Sequence, residues 1–172
     1  MTAWLDRAIR LALVVAYRGL RVYWYLARPH THGVYVALWS RGELLLIRNS
    51  YRTPASVPGG ALKPGEDRAV AAARELVEEV GVGVDPDRLV QFSQYTVNEF
   101  HHSDTVSVFE VDFGAERPAF EIDRREVVWA GYVAVNDVLA MNLATVVRLY
   151  LEEKAPPALE SSPSMLRAPP EP

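Results

Sequence analysis

Gly60-Ala61-Leu62-Lys63-Pro64-Gly65-Glu66 and, after seven intervening residues, Arg74-Glu75-Leu76-Val77-Glu78-Glu79-Val80-Gly81-Val82 gather three glutamates and an arginine behind a glycine-rich loop. With residues 67 to 80 helical, Glu75, Glu78 and Glu79 stand at i, i+3 and i+4, so successive turns aim the three carboxylates at one point. Carboxylates that close repel one another. A hard cation such as Mg2+ or Mn2+ relieves the repulsion, because it prefers oxygen ligands and at phosphate sites shares them with the substrate. Just ahead, Pro58-Gly59-Gly60 lets the backbone approach metal or phosphate with no Cβ in the way. A pyrophosphate linkage repels nucleophiles through its own charge, and metal ions both neutralise its oxygens and activate water. The stretch therefore predicts a divalent-metal site.

Written as G-x5-E-x7-R-E-L-x-E-E-x-G-V, residues 60 to 82 fill every defined position of the signature box of the Nudix hydrolase family, which the chain resembles. Two weaker similarities extend the resemblance over roughly residues 29 to 150: Arg28-Pro29-His30-Thr31-His32-Gly33-Val34, like the entry to the first core strand, and Glu126-Val127-Val128-Trp129, like a late Glu-x-x-Trp segment. The resemblance implies an α/β/α sandwich with a mixed central sheet, here preceded by an N-terminal helical extension. It implies cleavage of a phosphoanhydride bond in a nucleoside diphosphate linked to another moiety X, with Mg2+ or Mn2+ as cofactor. Carried over to this sequence, Glu78 and Glu79 are the principal metal ligands, and Glu75 is a further ligand or a base acting on metal-bound water. Gly60 adds its backbone carbonyl, Arg74 orients the glutamates, and Glu66 and Gly59 support the loop. An acid on a later loop often completes such a site, and Glu121 and Glu126, with Asp123 between them, are the candidates. The alternative is a catalytically silent Nudix-like module that only binds ligand; the intact glutamates argue against it, because clustered charge without metal costs stability.

Neither a Gly-x-Ser-x-Gly elbow nor a His-Glu-x-x-His pair is present, which removes serine-nucleophile and zinc-peptidase chemistry. The absence of Cys removes disulfides, thiolate catalysis and Cys-based zinc sites, and agrees with a cytoplasmic location. A net charge of -4 gives no reason to expect nucleic acid as a partner, so a nucleotide-like small molecule must be held locally. The leaving group stays open. The chain lacks the additional signatures by which relatives acting on NADH, coenzyme A or ADP-ribose are told apart, and Val57 stands where many have an aromatic residue. The loops around Val57, Tyr95 and His101 to Asp104 are left as the places where substrate choice resides, with His30 and His32 at the first strand's entry.

The 172 residues divide into an N-terminal amphipathic helix (1–28), a catalytic domain (29–154) and a Pro-rich tail (155–172) expected to be disordered. Residues 33–40 and 43–48 are apolar runs parted by Arg41-Gly42 and read as a hairpin. Strands are expected at 88–95, 105–112 and 126–135, followed by one helix from Asp137 to Glu153 capped by Asn136. On the first helix, Arg7, Arg10, Arg18 and Arg21 fall at roughly 0°, 300°, 20° and 320°, a basic stripe beside Trp4, Leu13, Tyr17, Leu20 and Trp24. Three uses follow for residues 1–27: packing on the domain or a homodimer contact, peripheral membrane association, or export. The apolar run Leu11–Tyr17 is too short to span a bilayer.

Overall fold

The computed structural model describes residues 3–99 and 102–154. Strand β1 (His30–Ser40) is buried on both faces. Val34, Val36 and Leu38 enter one apolar cluster, and Ala37 and Trp39 the other, as the two-residue period of a strand requires. Strand β2 (Glu43–Asn49) repeats the division, with Leu45 and Ile47 set against Leu44 and Leu46. Helix α2 (Arg68–Val80) closes the first face through Ala71, Ala72, Leu76 and Val80. The second face is closed by a short helix α3 (Val135–Leu139) and by α4 (Thr145–Lys154), through Val138, Val146, Val147, Tyr150 and Leu151. This is the expected α/β/α sandwich.

The sheet adds β3 (Gly59–Ala61), β4 (Val90–Glu99), β5 (His102–Asp112) and β6 (Val127–Ala134). Its order is β4-β5-β1-β2-β6, with β3 pairing β1 off that path. The sheet is mixed: β1 and β5 run parallel, and the other pairs antiparallel. One edge of β1 follows β5 along its length, while the other forks, pairing Trp39 and Ser40 with β2 and Gly33 to Tyr35 with β3. The glycine-rich loop emerges at this fork. Arg41 (φ 53°) and Gly42 (φ 75°) form the predicted hairpin turn, both in the positive-φ region that matches the twist of two-residue hairpins.

The C-terminal helix differs from expectation. In place of one helix over 137–153 there are two, and Asn136 lies inside the first turn of α3, whose N-cap is Ala134 and carries no side-chain cap bond. The break has a cause in the neighbouring loop. The Ala55 N–H donates to the Asn142 carbonyl and the Ala144 N–H to the Ala55 carbonyl, each at 2.8 Å, so this backbone is committed to pairing across the chain. The strand expected from residue 88 begins at Val90, after a turn of 3-10 helix at Pro86–Arg88.

Helix α1 (Ala3–Ala27) fills the predicted span. It stops at Arg28, in the left-handed region at φ 46°, ahead of Pro29, which disfavours helical geometry in the residue before it. Its inner side packs on the domain: Arg10 donates to the Arg124 carbonyl at 2.6 and 2.9 Å, Asp6 pairs with Arg125, and the Trp24 ring stacks on His102 at 3.9 Å. The outer side, with Trp4, Leu11, Val15, Val22 and Leu26 each 60–75% exposed, faces away from the domain. Among the described residues no helix is long and apolar enough to cross a membrane. The predicted tail, 155–172, lies outside the described residues, as does His101.

Candidate active site

Local sequence sets both ends of α2. The Asp67 carboxylate accepts from the Ala69 and Val70 N–H groups at 2.8 and 3.2 Å, an N-cap that satisfies free amides. At the other end Gly81 adopts φ 67°, and its N–H donates to the Val77 carbonyl at 3.1 Å, closing the helix with the left-handed residue such termini favour. In the register thus fixed, Glu75 and Glu79 are buried and Glu78 is half-exposed.

Arg74 ties the acids to the loop. Its Nε and Nη2 meet the two oxygens of Glu66 at 2.8 and 3.0 Å, a bidentate pairing, while Nη1 reaches Glu75 at 2.6 Å and Glu78 at 3.0 Å. Glu66 also accepts from the Lys63 N–H at 3.0 Å, and these partners, Arg74 foremost, hold its carboxyl down to about 2. Two glycines make room. A Cβ on Gly59 would come within 2.8 Å of the Tyr35 Cα, and one on Gly60 would lie 2.5 Å from a Glu75 carboxylate oxygen. Side chains at 59 and 60 would thus push the loop off β1 and off the glutamate.

Glu79 is held by neutral donors. The Gly59 N–H donates to it at 2.8 Å and the Asn49 side-chain amide at 3.0 Å. Burial nevertheless pushes its carboxyl up to about 8, with the charges of Glu126 and Glu75 adding to the rise. Burial also raises Glu75, against the pull of Arg74.

The three glutamates do not aim at one point as the helical spacing predicts. Among the described residues no three His, Asp or Glu side chains converge as a ready-made cation cage. The reason is visible in the partners: Arg74 Nη1 holds Glu78 beside Glu75, while Asn49 and Gly59 hold Glu79 separately. Glu126 joins the buried pair instead. It lines a cavity of about 690 Å3 and accepts from the Tyr51 hydroxyl at 2.7 Å. Glu121 is exposed, and its backbone N–H closes on the Val80 carbonyl at the far end of α2.

The cavity opens beside Gly59, Gly60 and Ala61 and is also lined by Tyr35, His32, His102 and Asp104. Asp104 accepts from the Thr31 hydroxyl at 2.7 Å, and His30 hydrogen-bonds Thr105 outside the cavity lining. Tyr95 turns elsewhere, donating to Glu153 at 2.6 Å, and Val57 is buried in the core beside α4. Asn49 and Tyr51, which hold Glu79 and Glu126, were not singled out by the sequence. Asn49 left a faint mark as the polar residue that ends an apolar strand; Tyr51 left none.

Two carboxylates within 8% exposure face a third from Glu126; Glu75 shares Arg74 with Glu66 and Glu78, and Glu79 has the neutral donors Gly59 and Asn49. All-oxygen donors with surplus buried negative charge fit a hard divalent cation. The acid-bearing helix thus packs on a mixed sheet behind a glycine loop. The chain belongs to the NUDIX domain family, the Nudix hydrolases, whose model matches residues 29–152. Among solved structures it is similar to a MutT NUDIX hydrolase from Burkholderia pseudomallei, at 22% identity and TM-score 0.64, covering 73% of this chain and 98% of that one. It is likewise similar to a MutT protein from Methanosarcina mazei Go1 (24% identity, TM-score 0.61, 73% and 93% covered) and to a Caenorhabditis elegans Ap4A hydrolase (16%, 0.61, 72% and 94%). At these identities the likeness is one of fold. No curated protein matches the sequence.

Proposed function

We propose that the protein is a Mg2+- or Mn2+-dependent hydrolase of the phosphoanhydride bond in a nucleoside diphosphate linked to another group. The observation that carries this reading is the buried pair Glu75 and Glu79, pressed against Gly59 and Gly60 and sharing its field with Glu126. Glu75, Glu78 and Glu79, with the Gly60 carbonyl, would hold the cation. When bound, such ions neutralise phosphate oxygens and lower the pKa of water. Arg74 and Glu66 keep the loop and the glutamates in one body, so little reorganisation is left for the moment of reaction. Glu126, at the cavity and steadied by Tyr51, is better placed than Glu121 to take a proton from an attacking water. The presence of Ap4A in the name of one structural neighbour supports a nucleotide-like substrate. The burial of clustered carboxylates weighs against a silent binding module, which has no use for their cost.

Nucleoside diphosphate derivatives should release product with Mg2+ or Mn2+ and not with EDTA, whereas nucleoside monophosphates should stay intact under both conditions. Cleavage of none of them, or cleavage indifferent to EDTA, would remove this reading. We propose in addition that the outer face of α1, apolar and flanked by the exposed Arg7 and Arg18, rests on an anionic bilayer.

A further inference from the structure

The inner face of α1 does more than pack. Leu13, Ala16, Tyr17, Leu20 and Trp24, on one side of the helix, line the same cavity as Gly59, Gly60 and Glu126. Their rings continue a ladder that starts at the acid. Tyr51 donates to Glu126, the Tyr17 ring lies 5.2 Å from that of Tyr51, Trp24 meets Tyr17 edge-on at 6.1 Å, and His102 stacks on Trp24.

We infer that α1 forms the second wall of the substrate cavity and that Tyr17 and Trp24 are specificity-determining residues that select a substrate bearing a planar aromatic ring. The inference rests on the phosphoanhydride reading and names what that site prefers. Rings set edge-on and tilted offer faces and edges on which a further ring can stack or abut. Asp104, Thr31, His32 and Arg52 also border the chamber, so the heteroatoms of a nucleobase-like ring meet polar groups there that a saturated chain cannot use. The cavity, about 690 Å3, is within the range that encloses a small organic ligand.

The test is calorimetric binding in Mg2+ of two uncleavable probes, α,β-methylene-ADP and ring-free methylenediphosphonate. The full chain should bind the ringed probe at least about tenfold more tightly, since stacking on one aromatic side chain is worth that much. Tyr17→Ala and Trp24→Ala should each lose most of that margin while leaving methylenediphosphonate within about twofold, and Tyr17→Phe should keep it. Val15→Ser, on the outer face, should change neither probe. Equal weakening of both probes in the alanine variants, no weakening of either, equal binding of the two probes by the parent, or no binding of either would overturn the inference. Turnover plays no part in these readouts. A chain that binds the ringed probe through Tyr17 but cleaves no diphosphate would refute the hydrolase reading alone.

Discussion

Glu79 is held by the Gly59 N–H and the Asn49 amide, and neither offsets the loss of water around its carboxylate. The consequence for stability has a definite sign. The unfolded carboxyl loses its proton near 4.5, and the folded one keeps it to about 8, so between these values the unfolded state binds fewer protons. Stability contributed by this group is therefore complete below pH 4.5, falls as pH rises toward 8, and levels off above. In EDTA, thermal melting of the parent should drop between pH 5 and 8 relative to Glu79→Gln, and Mg2+ should restore more at pH 8 than at pH 5. Parallel melting curves for the two proteins would contradict this assignment. The spacing of Glu75 and Glu79 was legible because helical period alone places them on neighbouring turns. Asn49 and Tyr51 were not, since they meet Glu79 and Glu126 across 30 and 75 residues, where chain path decides and local pattern is silent.

Helix α1 shows what an amphipathic pattern does and does not specify. Its length and termini followed from its own composition, yet the helix presents apolar residues on two sides, and the sequence alone could not say which side meets the domain. Tertiary contact divides them: Tyr17 and Trp24 turn to Tyr51 and His102, Arg10 leaves the basic stripe for the Arg124 carbonyl, and Trp4, Leu11, Val15, Val22 and Leu26 remain outside. Burying such a face is worth roughly 25 cal/mol per Å2 of apolar surface, enough to reward a covering surface. Vesicles of phosphatidylglycerol and phosphatidylcholine should carry the full chain upward on flotation, and the triple variant Leu11→Ser, Val15→Ser, Val22→Ser should stay behind. Absence of the parent from the floated fraction would remove the bilayer, and a second copy of the chain would then be sought by sedimentation. The split between α3 and α4 is the converse case: residues 137–153 carry a helical pattern, but backbone pairing of Asn142 and Ala144 with Ala55 overrides it.

Across the whole molecule, the sheet and the site depend on one another. The short apolar runs of β1 and β2 announced a hairpin, but the parallel pairing of β1 with β5 joins segments some seventy residues apart and has no local signal. That pairing leaves the other edge of β1 free to fork between β2 and β3, and the fork is where Gly59 and Gly60 meet Glu79 and Glu75. The central claim, that these glutamates serve the cleavage of a phosphoanhydride with a divalent cation, is tested most directly by the Mg2+-dependent rate of Glu79→Gln beside the parent on any diphosphate the parent cleaves. The account predicts a loss of at least about 10²-fold, the upper end of what disturbing even a metal ligand's supporting partner costs, in a variant that melts no lower than the parent at pH 8. A variant as fast as the parent would contradict it.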